Sequence, residues 1–164
     1  MRRLPLLAAL VLAAVLITAV PVVAAPLATL QASLTGQKEV PGPGDPNGRG
    51  NAAVKVYQAR VCYTLEAQRI KPAMAAHIHR GGPSVAGPIV VTLKAPTGGS
   101  SSGCVAISQS LSKKLQENPR HYYVNVHNKP YPEGAIRGQL HRDDVVGQEA
   151  DEDGANDEDG ANDD

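Results

Sequence analysis

The sequence predicts an all-β protein, an antiparallel β-sandwich with one short helix. Three observations carry that prediction. Apolar and polar residues alternate over short runs, as in "RVCYTLEAQ" (60–68) and "YYVNVH" (122–127). Such alternation marks strands buried on one face only. Clusters of Gly, Pro, Ser and Asn separate the runs, and about eight of them fall within one domain's length, the spacing of a sandwich. Helical periodicity occurs only once.

"LATLQASL" (27–34) is a mixed apolar run suited to a first strand. "GQKEVPGPGDPNGRGN" (36–51) holds too much Gly and Pro for a strand interior and is predicted as a long connection. "AAVKVYQ" (52–58) sets Val54 and Val56 against Lys55 and Tyr57. In 60–68, Val61, Tyr63, Leu65 and Ala67 oppose Cys62, Thr64 and Glu66. "AAHIH", "PIVVTLK", "GCVAI", "YYVNVH" and "AIRGQLH" supply five more strands, and "GGSSSG" (98–103) reads as flexible linker. "SQSLSKKLQENP" (108–119) spaces Leu111 and Leu115 four apart and stops at Asn118-Pro119, which predicts the helix. With no Phe or Trp, the core must be Val, Ile, Leu and Ala, with tyrosines at its margins.

Two terminal segments stand apart from this domain. Arg2 and Arg3 precede "LPLLAALVLAAVLITAVPVVAA", a basic end followed by an apolar run and small residues. That order is a secretory signal over 1–25, cut near Ala24 or Ala25, and it leaves no membrane span after cleavage. The alternative is an uncleaved anchor, since the run is long enough to span a bilayer. Both place the rest of the chain outside the cytosol, secreted or at the cell surface. There Cys62 and Cys104, the only cysteines, are expected to form a disulfide. Residues 26–142 are the predicted domain, and 143–164 an acidic tail ending in a DEDGAN repeat. The tail carries no large apolar side chain beyond Val145 and Val146, so it is expected to be disordered. Its acids do not follow the spacing of a calcium loop.

The zero net charge conceals an uneven distribution. Residues 25–142 hold 14 Lys and Arg against 5 acids, a charge of +9, whereas residues 143–164 hold 11 acids and no base. Export argues against nucleic acid as the partner of the basic body. An extracellular protein, an anionic glycan or the protein's own tail fits better.

Chemistry concentrates in "AAHIHRGG". On a strand, His77 and His79 share a face, opposite Ala76 and Ile78. Tyr123, Asn125 and His127 likewise oppose Tyr122, Val124 and Val126, and Arg137, Gln139 and His141 oppose Ile136, Gly138 and Leu140. If these faces form one patch, His77, His79 and His127 make a three-nitrogen site for copper or zinc, with a fourth position open. His141, at the domain's end, is a weaker fourth candidate, and His121 is expected to be exposed. The competing reading is architectural: histidines tie the loop "HRGGPSVAGP" to the sheet, and Asn125, Arg137 and Gln139 complete a polar network. No other catalytic set emerges, for there is no G-x-S-x-G elbow, no phosphate-loop spacing and no paired carboxylates.

"LTGQKEVPG", "AAHIH" with "GPIVVTL", and "YYVNVH…PEGAIRGQL" together resemble the CHRD domain, the repeat named after chordin and found singly in secreted bacterial proteins. The motifs occur in the family's order across residues 30–141. The resemblance implies a secreted β-sandwich; in chordin the repeats belong to an extracellular protein that binds growth factors. Two positions depart from the pattern. Asn128 stands where Thr is expected after the last motif histidine. Glu133-Gly134-Ala135 stands where the family has Gly-Gly-Glu, which removes a carboxylate beside Arg137 and leaves Glu133 as its candidate substitute. The sandwich is immunoglobulin-like, and with its His-x-His it also resembles copper/zinc superoxide dismutases, without their metal-bridging and zinc-binding stretch. These residues favour an extracellular binding or structural module over an enzyme. The alternative is a metal-binding protein, redox-active in the manner of those dismutases.

Overall fold

The computed structural model describes residues 24–142. The predicted signal segment up to residue 23 and the acidic tail lie outside the described residues. The strands are β1 (Ala28–Thr35), β2 (Arg49–Tyr57), β3 (Arg60–Gln68), β4 (Ala73–Arg80), β5 (Ile89–Leu93), β6 (Ser100–Ala106), β7 (Tyr122–Asn128), β8 (Ile136–Gln139) and the two-residue β9 (His141–Arg142). Among the described residues one α-helix, α1 (Gln109–Glu117), lies between β6 and β7.

All pairings are antiparallel, in the order β5-β4-β7-β8-β1-β2-β3-β6, with β9 beside β1. The predicted all-β fold with one short helix is therefore present. Its two faces are halves of one sheet that curls until β5 and β6 come together, nearly closing a barrel. Lys94, just past β5, bridges the seam. Its amide donates to the Tyr63 hydroxyl at 2.7 Å, and its carbonyl accepts from Ser101 Oγ at 2.7 Å.

The predicted alternation sets the inner face. Leu30, Leu34, Val54, Val56, Val61, Leu65, Ile78, Val124, Val126, Ile136 and Leu140 are fully buried. Each contributes about 1.5–3 kcal/mol by leaving water. Tyr63 and Tyr122 are also inside this core rather than at its margin. In a chain without Phe they supply the aromatic volume, and Tyr63 enters because Lys94 satisfies its hydroxyl. On α1, Ser108 caps the start by accepting from the Leu111 amide at 3.1 Å, and Leu115 is buried beneath the helix.

"GGSSSG" is not linker throughout: Ser100–Ala106 forms β6, with Ser100, Ser101 and Ser102 opposite Glu66, Leu65 and Thr64. Serine side chains bury little, so periodicity did not mark this edge strand. The ladder to β3 and the Cys62–Cys104 disulfide hold it instead. The two cysteines face each other directly across β3 and β6. Their sequence separation is 42 residues. Replacing both with serine is expected to cost about 4 kcal/mol by the chain-entropy argument. Urea unfolding of the two proteins measures it, and an unchanged midpoint would rule the estimate out. The disulfide agrees with an oxidising, extracellular compartment. Among the described residues no helix is long and apolar enough to cross a membrane.

Candidate metal centre

Strand register brings the candidate residues together. β7 lies between β4 and β8, with His77 opposite Asn125 and Asn125 opposite Arg137. In the next row His79 faces Tyr123, which faces Gln139, while His127 lies opposite Ala75. The polar sets of three strands thus form one patch on the outside of the sheet. The patch is largely covered by two loops, residues 36–48 and 81–88.

Ligand nitrogens of His77, His79 and His127 all lie within 4.8 Å of one another. His79 Nδ1 is 2.8 Å from the Gly87 carbonyl, and His127 Nδ1 is 2.9 Å from the Pro132 carbonyl. A carbonyl only accepts, so both rings carry the proton on Nδ1 and present a bare Nε2. His79 Nε2 is buried with no hydrogen-bond partner. His127 Nε2 lies 3.1 Å from His77 Nδ1, so a single proton joins the two rings. Burial, then the neighbouring His127 and His79, pushes His77 down to about 4. Burial also lowers His79, against the pull of the Gly87 carbonyl. Neutral imidazole is the metal-binding form.

These donors suit a metal. Tetrahedral coordination at about 2.1 Å separates nitrogens by about 3.4 Å, so closing the trio needs movements of about 1 Å. An ion held by the trio would displace the proton that His77 and His127 share. Backbone carbonyls orient the rings where carboxylates often do. Asn128 shapes one of those supports: its Oδ1 accepts from the Tyr131 amide at 3.0 Å, forming the turn that carries Pro132. His77 and His127 open onto a hollow of about 340 Å³ that Met74, Lys129 and Pro132 also line.

Behind the trio lies the hydrogen-bonded network. Arg137, 1% exposed, donates through Nη2 to the carbonyls of Gly82 at 2.7 Å and Val85 at 3.0 Å. Its guanidinium stacks 3.4 Å from the Tyr123 ring centroid, and Tyr123 stacks on His79 at 4.8 Å. Gln139 holds the Gly81 and Arg120 carbonyls, and Asn125 Nδ2 donates to Glu39 Oε2 at 2.7 Å. The same His79 therefore both fastens the 81–88 loop and offers a bare nitrogen. The architectural and metal readings describe different atoms of one side chain.

Three predicted residues lie elsewhere. His121 and His141 are exposed, away from the trio, and Glu133 is exposed. The carboxylate near Arg137 is Glu39, which the sequence reading passed over within a Gly/Pro loop. The loop folds back over the sheet and buries Glu39 to 7% exposure. Gly134 makes this possible, because a Cβ there would collide with the Glu39 carboxyl. Burial pushes Glu39 up to about 7, against Arg137 and the Asn125 hydrogen bond. A lone Glu between "GQK" and "VPGPG" was the only available signal.

Comparison with known proteins yields one match. The model of the CHRD domain matches residues 30–140, nearly the whole described barrel with its trio and network. Searches of curated proteins and of solved structures found no match. The chain thus belongs to the CHRD domain family.

Proposed function

We propose that this domain is an extracellular metal-binding module that holds one copper or zinc ion through His77, His79 and His127. The observation that carries the reading is the buried, unpartnered Nε2 of His79, on a ring clustered with the other two imidazoles while its Nδ1 is held by Gly87. A purely architectural histidine would leave that nitrogen exposed to water or bonded to protein. When bound, the metal would supply a Lewis-acidic centre with an open position. His79 and His127 are held in the ligating tautomer by their carbonyl partners, and Tyr123 and Arg137 keep the His79 ring in place.

The test is elemental analysis of tag-free, oxidised protein after exposure to zinc and to copper. Close to one ion per chain is expected. A protein that retains no ion after desalting would overturn the reading.

A second reading rests on another surface. A groove of about 830 Å³ is lined by Lys38, Arg120, His121, Arg137 and His141, with Glu39 as the one acid among its walls. This distribution favours an anionic glycan or acidic segment, and the chain leaves the described domain at Arg142, beside the groove's rim. On this reading, deleting residues 143–164 strengthens retention on a sulfated-glycan resin at low salt, and Arg120→Glu weakens it. Equal retention of all three proteins would dismiss the groove as a site.

A further inference from the structure

Met74 is the only methionine of the predicted domain, and it is 70% exposed. Strict alternation along β4 would put it inside with Ala76 and Ile78, where an unbranched apolar side chain gains most. The β4–β7 register instead slips between Ala73 and Ala75: Ala73 pairs with Asn128, and Ala75 with His127. The bulge buries Ala73 and turns Met74 outward. Bulges re-aim side chains in this way, often beside functional sites. Here the outward-turned residue lines the same hollow as His77 and His127.

A thioether is a neutral, soft donor on a chain with three rotatable bonds. It adds little for zinc, whose protein ligands are thiolate, imidazole and carboxylate. It adds much for copper(I), which soft sulfur ligands select. No carboxylate or thiolate lies among the trio, so the set carries no negative charge and suits a monovalent ion.

We propose that Met74 is a fourth ligand and that the centre is a copper site which holds copper(I). This rests on the metal reading above. The exposed thioether swings over the hollow to close the position that the three imidazoles leave open.

The experiment measures copper(I), copper(II) and zinc binding by competition with chromophoric chelators. Copper(I) is kept reduced anaerobically with ascorbate. The wild type, Met74→Leu and His77→Ala are compared, with X-ray absorption on the copper(I) forms. Met74→Leu conserves volume at an exposed position, so folding is preserved. It is expected to weaken copper(I) binding by at least about tenfold, to leave zinc within about twofold, and to remove a sulfur scatterer seen in the wild type. If Met74→Leu binds copper(I) as tightly as the wild type, or the wild type shows no sulfur, the thioether ligand is refuted while the imidazole site stands. If the wild type binds no metal, or His77→Ala binds as well, the metal reading fails and takes this proposal with it.

Discussion

Replacing His77 with alanine is expected to abolish stoichiometric zinc and copper(II) binding while leaving the domain folded. His77 is the member of the trio whose ring ties no loop carbonyl: its side chain hydrogen-bonds His127 Nε2 at 3.1 Å. His79 and His127, in contrast, each hold a loop carbonyl, so their loss would disturb structure as well as ligation. His77→Ala therefore separates the two roles. Removing one of three imidazoles leaves two nitrogens, too few for a tight zinc or copper(II) site even with the Met74 thioether beside them. The wild type should gain about 2.7 kcal/mol of stability at a free metal concentration 100 times the dissociation constant. The variant should gain nothing measurable at the same concentration. Thermal unfolding with and without metal provides the comparison, and an equal shift in both proteins would place the metal elsewhere.

The second large effect concerns pH. The folded state raises Glu39 from an ordinary carboxyl value of 4.5 to about 7. The native protein thus binds this proton more tightly than the unfolded chain does. Its contribution is fully present below pH 4.5 and is lost as pH rises through 7. The shift amounts to about 3 kcal/mol at its full extent. Glu39 Oε1 and Asn125 Oδ1 are both buried acceptors without a partner. A proton on Glu39, or the amide of Glu39→Gln, supplies the donor that this pair lacks. The stability of Glu39→Gln relative to wild type should therefore grow by about 3 kcal/mol between pH 4.5 and 8. His77 runs the other way. Its lowered value stabilises the fold above pH 6.5 and loses that effect as pH falls toward 4. Because both proteins carry His77, its contribution cancels in the difference. Urea titrations of metal-free protein across the range decide the matter; a flat difference would mean that Glu39 ionises as freely folded as unfolded.

Both predictions depend on features of different legibility. The faces of β4, β7 and β8 were readable because a period of two needs only local sequence. Ala76, Ile78, Val124, Val126, Ile136 and Leu140 all turn inward as alternation requires. The trio followed from the assumption that three outward faces adjoin, and the register of β7 between β4 and β8 supplies that adjacency. β6 was half missed, because three serines offer no apolar contrast and the strand is held by its neighbour. The outward turn of Met74 and the burial of Glu39 were not readable from alternation. One depends on a bulge that inverts the local alternation, the other on a loop folding across the sheet to meet Asn125 from 86 residues away.

By itself, the sequence determined the antiparallel fold, the disulfide partners and the side of the sheet on which His77, His79 and His127 fall. These follow from short-range periodicity and from there being only two cysteines. Only the tertiary structure decided which nitrogen of His79 and His127 is bare, since the Gly87 and Pro132 carbonyls that choose the tautomer sit on loops. It also decided that Glu39, not Glu133, approaches Arg137. Alternation specifies a direction for each side chain, whereas a site needs distances between groups far apart in the chain. Those distances are set by register, bulges and loop closure.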